Sequence, residues 1–156
     1  MSHTLRFFRT RCLDCGADFA IPDLGEFLYG QFIWYGERGD AFAYFDAIAS
    51  PMFEHIRSLL RKAVGYPQSP SSHEIDRFHW VVAGCAEKIT DQQLLPRRVC
   101  PSCRSRNLSV DDGDPVADRL VEEASYDEFL AKPALEQLSM VAQLWEQSGE
   151  NRFTSP

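Results

Sequence analysis

The chain has 156 residues, 44% of them hydrophobic and 12% aromatic, which suits one folded domain and excludes a disordered polyampholyte. No run reaches the ~18 apolar residues of a membrane span, and the opening MSHTLRFFRTRC has no apolar stretch of signal-peptide type, so no secretory signal is expected. The formal net charge of −7 is unevenly spread: residues 111–150 carry eleven acids against Arg119 and Lys132, whereas residues 1–110 hold twelve acids and thirteen bases.

In chain order, LRFFRTR (5–11) predicts a strand running into Cys12-x2-Cys15, with DFAIPD (18–23) returning antiparallel after the turn at Gly16. EFLYGQFIWYG and AFAYFDAI, joined by ERGD, predict a β-hairpin. Leu28, Gly30, Phe32 and Trp34 share one face; Phe27, Tyr29, Ile33 and Tyr35 leave the other just as apolar, so the hairpin is expected to be covered on both sides. SPMFEHIRSLLRKAVG reads as a helix with Ser50 as N-cap, Pro51 in the first turn and Gly65 at the end. Its apolar face is Met52, Ile56, Leu59, Leu60 and Ala63. After the breaker YPQSPSS, Ser71 and Glu74 form a capping box for a second helix with the stripe Ile75, Phe78, Val82, Cys85 and Ile89.

RRVCPSCRSRNLSV predicts strand on either side of Cys100-x2-Cys103. DDGDP is a loop, VADRLVEEA a short helix, and Ser125 with Glu128 caps a further turn. KPALEQLSMVAQLWEQSG completes the chain as an amphipathic helix, with Leu135, Leu138, Val141 or Ala142, and Trp145 on one face.

Five cysteines, four of them in two identical pairs, favour metal binding in a reducing compartment over a disulfide framework. The expected location is therefore cytoplasmic. The pairs are separated by 84 residues, so either they meet in space around an insert or each acts alone. A redox dithiol is the weaker alternative, because neither pair opens a helix, where a thiolate would be stabilised. Two Cys-x2-Cys turns with flanking strands resemble the zinc-ribbon fold group, in which two such knuckles share one zinc. The resemblance covers residues 5–20 and 97–110 and implies a single zinc held by Cys12, Cys15, Cys100 and Cys103. Four thiolates leave no open coordination position, so the ion would be structural.

The fold class that follows is α+β, a single domain. A split ribbon (1–20 and 97–110) frames an inserted hairpin-plus-two-helix body (21–96), and an acidic helical segment (111–150) follows.

Catalysis is not expected. Cys85 lies on the apolar stripe of its helix, as a buried inert thiol would. His73, Glu74, Asp76 and His79 share a helix but lack the His-Glu-x-x-His spacing, and no phosphate loop, nucleophile elbow or triad is present. What remains is charge. Arg6, Arg9, Arg11, Arg97, Arg98, Arg104 and Arg106 gather near the cysteine pairs, seven of sixteen basic residues. The acids Asp111, Asp112, Asp114, Asp118, Glu122 and Glu123 form a candidate surface for a protein partner, unless they only solvate the chain or neutralise the arginines.

In general character, a small acidic metal-stapled chain resembles the immunity proteins of bacteria. That resemblance implies a basic, nuclease-like toxin as partner, and no membrane. The alternative is a nucleic-acid-binding, transcription-associated zinc ribbon whose arginines track phosphates. The low pI of about 5.0 weighs against it.

Overall fold

A computed structural model describes residues 2–24, 29–111 and 113–149. Strand β1 (Ser2–Cys12) pairs antiparallel along one edge with β2 (Asp18–Asp23). Along its other edge it pairs first with β7 (Ala117–Glu122) and then with β6 (Leu108–Val110). Asp111 and residues 113–116 lie outside the sheet between those two strands, with Asp111 N–H donating to Arg9 C=O and Val116 N–H to Phe7 C=O. A second antiparallel sheet has the order β4 (Phe42–Asp46), β3 (Gln31–Gly36), β5 (Leu94–Leu95). Helices α1 (Met52–Val64), α2 (Ser72–Cys85), α3 (Asp127–Ala131) and α4 (Ala134–Gly149) complete the described α+β fold.

The β3–β4 hairpin is the middle layer, as its two apolar faces require. Trp34, Ala43 and Phe45 join the main core with Ile56 and Leu60 of α1, Phe78 and Val82 of α2, and Val141 of α4. From the opposite face Ile33 and Tyr44 pack on Leu5, Phe7 and Val121 of the first sheet. Trp34 stacks between Phe32 and Phe45 at centroid distances of 5.3 and 5.5 Å, and its buried indole N–H donates to Tyr126 Oη at 3.1 Å. Leu28 and Phe27 of the expected hairpin lie outside the described residues.

The helix ends follow local chemistry. The N-cap of α1 is Pro51 rather than the expected Ser50, with no side-chain cap, although Ser50 Oγ accepts from Met52 N–H at 3.2 Å; Gly65 closes α1 in the left-handed region at φ +70°. The Ser71–Glu74 capping box of α2 is formed reciprocally. The apolar faces are less tidy than their spacing suggests. Ala63, Ile75 and Leu135 are exposed, and α2 stops at Cys85, leaving Ile89 in a bridge with Gln92. The second half of α2 is buried all round, because it packs against α4 and against sheet residues.

Two expected elements are corrected. Residues 116–124 do not form a helix: Ala117–Glu122 is β7, in register from Ser2↔Glu122 to Phe7↔Ala117. The helix formers of VADRLVEEA yield because β1 would otherwise leave that edge of its backbone unpaired, and because extended chain turns Val121 onto the Ile33–Tyr44 face. Among the described residues, no strand leads directly into the second cysteine pair. Leu94–Leu95 belongs to the other sheet, and residues 96–100 run without a ladder partner up to the knuckle.

Candidate metal centre

The first knuckle caps the β1–β2 hairpin, and the second leads into β6, which pairs with β1; one strand thus carries both halves to the same place. Their backbones repeat each other. Gly16 N–H donates to Cys12 C=O at 2.9 Å, and Arg104 N–H to Cys100 C=O at 2.8 Å. Cys12 N–H donates to Ala17 C=O, Cys100 N–H to Ser105 C=O. In both turns the residue after the second cysteine is left-handed, Gly16 at φ +76° and Arg104 at φ +65°. Glycine takes that conformation freely, whereas an arginine is strained there.

All four sulfurs lie within 4.8 Å of one another. Cys12 Sγ is 3.5 Å from Cys103 Sγ, and Cys15 Sγ is 3.6 Å from Cys100 Sγ. A tetrahedral ion with metal–sulfur bonds of about 2.3 Å needs sulfur–sulfur edges of about 3.8 Å. The four cysteines are therefore positioned to hold one metal ion. Cys12 and Cys100 are buried, Cys15 and Cys103 exposed.

The acidities fit the same reading. The Cys15 N–H bond holds the Cys12 thiol down at about 7. Burial pushes Cys100 up, but the N–H groups of Cys103 and Ser102 outweigh it and bring the thiol below its ordinary value. For Cys103, the Ser105 N–H favours the thiolate, yet burial and the three neighbouring sulfurs prevail and raise it to about 12. Crowded thiols cannot all ionise against one another, and a dication removes that conflict.

Two supporting groups were not legible as such in the sequence. Asp14, between the first pair, accepts from Ser105 Oγ and from Asn107 Nδ2 (3.2 Å), tying one knuckle to the other; the Ser105 and Asn107 bonds hold its carboxyl below the usual range. Gly39, in the ERGD turn, sits at φ +84° against the second knuckle: a Cβ there would press into Val99 C=O and lie 3.1 Å from Pro101 N. The hairpin of the body thereby abuts the metal centre. A glycine in a polar turn was the visible signal; its neighbour was not.

Cys85 and His79, singled out in the sequence, lie in packed surroundings. Cys85 is buried in the main core, and burial pushes its thiol far up. His79 packs against Phe32 and Phe53 at centroid distances of 5.0 and 5.6 Å; burial holds its pKa down against the pull of Asp76. Among the described residues, the four cysteines are the one cluster placed to ligate a metal.

The arginines do not make one face. Arg6 stands between Asp23 and Asp118 on the neighbouring strands, and Arg11 is opposite Asp18. Arg97, Arg98 and Arg106 instead line a cleft beside the second knuckle.

The acids divide too. Asp118 and Glu122 are exposed on β7, and Asp111 and Asp114 on the chain that leads to it. Glu123 accepts from His3 Nε2 at 2.8 Å, and His3 in turn stacks on Tyr44 at 3.8 Å. Asp112 lies outside the described residues.

Comparison with models of protein families, with curated proteins and with solved structures gives no match. The geometry of this chain carries the functional argument by itself.

Proposed function

We propose that the chain is a non-enzymatic, zinc-stapled protein-binding module, acting as an immunity protein that occludes a basic, nuclease-like bacterial toxin. The four-cysteine centre supports the first half. A four-thiolate set is closed, favours zinc over harder cations, and offers no site for water or substrate. A metal there would join the beginning of the chain to residue 100, while Leu5, Phe7 and Val121 pack the first sheet onto the body.

The observation that carries the binding half is β7. Its ladder partner is β1, and its outward side chains Asp118, Leu120 and Glu122 set an exposed leucine between two acids. Sheet edges recruit partners through backbone pairing, and flanking charge selects the partner and speeds encounter. An acidic sheet face beside an edge strand, as here, suits a surface built to hold phosphates.

The test is gentle purification of the tagged chain from its own host, followed by native mass spectrometry. The expected species contains one zinc and one stoichiometric basic protein. Asp118→Lys with Glu122→Lys should then slow association by about tenfold or more while leaving the zinc in place. A zinc-loaded chain whose complex is indifferent to both reversals would overturn the reading.

A further inference from the structure

The cleft beside the second knuckle has no role in metal binding and shares no residue with the acidic edge. Its volume is about 760 Å³, within the range of small-molecule sites. It opens between the two sheets. Phe32 and Tyr35 of β3 and Leu108 and Val110 of β6 supply apolar lining, and His79 of α2 is part of the wall. Arg97, Arg98 and Arg106 share the cleft with two carboxylates, Asp23 and Asp76, so the lining has a formal charge of +1 in a chain of −7.

The three guanidiniums differ in what they can do. Arg97 lies 5.2 Å from the Trp80 ring centroid, a packing role. Arg98 is exposed and Arg106 half-buried. Arg98 and Asp23 both act electrostatically on the Tyr35 phenol, which places the arginine charge beside the aromatic lining. Each guanidinium carries five donors in a planar fork, so an internal partner does not exhaust it. Two such forks suit a group with three acceptor oxygens better than a carboxylate with two.

From this geometry we infer that the cleft binds an aromatic phosphate monoester of nucleotide size, with Arg98 and Arg106 on the phosphate and the ring against Tyr35, beside Leu108 and Val110. The source is a free mononucleotide or the phosphorylated end of a strand. This site is independent of the protein-binding reading, and either can fail without the other.

The test uses the full zinc-loaded chain and titration calorimetry with three probes: adenosine monophosphate, inorganic phosphate, and a short phosphorylated single-stranded oligonucleotide. Adenosine monophosphate should bind one per chain with a Kd below about 1 mM. Arg98→Gln and Arg106→Gln should each weaken it about tenfold or more. Inorganic phosphate should bind more weakly than the nucleotide, because it forgoes the aromatic contact. An oligonucleotide that binds more tightly and loses affinity in the same variants identifies a strand end as the source; one that does not points to the free nucleotide. Zinc content and melting temperature of each variant exclude misfolding. Absence of saturable binding of adenosine monophosphate, binding indifferent to both arginine variants, or equal affinity for inorganic phosphate each overturns the inference.

Discussion

When a chelator removes the metal under reducing conditions, four thiols are left within 4.8 Å of one another. Among the described residues, the knuckles are then still joined by Asp14 with Ser105 and Asn107, by Leu13 N–H to Asn107 C=O at 2.8 Å, and by the three-residue pairing of β1 with β6. The body keeps its own core, and the start of β1 stays anchored through Leu5, Phe7 and Val121. Metal loss should therefore loosen residues 97–110 while Trp34 keeps its packing.

The magnitude follows from the chain. The centre closes a loop with 84 residues between Cys15 and Cys100. Chain-entropy reasoning gives about 4–5 kcal/mol for a cross-link of that span when the whole chain unfolds. That is far below the ~10–16 kcal/mol of zinc peptides, whose folding is the binding event itself. For a chain of this size, 4–5 kcal/mol corresponds to a fall in Tm of roughly 10–15 °C. Calorimetry on samples of verified metal content measures the fall, and amide exchange locates the loosened segment. An unchanged Tm in metal-free protein would refute the staple, and complete unfolding at room temperature would refute the independent body.

Gly39→Ala should lower Tm and also speed metal loss to a chelator, because the strain at φ +84° and the collision with Val99 and Pro101 act on the knuckle; the two together amount to about 2 kcal/mol or more. Tyr126→Phe should cost about 1–3 kcal/mol in urea unfolding, since it leaves the buried Trp34 indole N–H without its acceptor. Ser71→Ala, which removes the α2 cap, should cost about 1 kcal/mol. Burial raises the Tyr35 phenol from 10 to about 12, so the unfolded chain ionises first. Stability from this group is whole below pH 10 and lost as pH rises through 12, at up to about 1.4 kcal/mol per pH unit. Tyr35→Phe should flatten that alkaline decline, seen in urea midpoints at pH 9 and 11.

Local signals in the sequence determined what short range can determine. The cysteine spacing, the Ser71–Glu74 box, the Gly65 stop and the two-faced hairpin at Ile33–Tyr35 each depend on neighbours within a few residues, and each stands in the fold. The meeting of the two knuckles across 84 residues was legible only because a metal needs four ligands and each pair offers two. Tertiary structure decided the rest. Whether VADRLVEEA is helix or strand depended on an edge of β1 more than a hundred residues earlier, where unpaired backbone outweighs a helix propensity of a few tenths of a kcal/mol per residue. It likewise separated Arg6 and Arg11, facing carboxylates, from Arg98 and Arg106 in a cleft, because charge in a sequence carries no direction until strands assign each side chain a face.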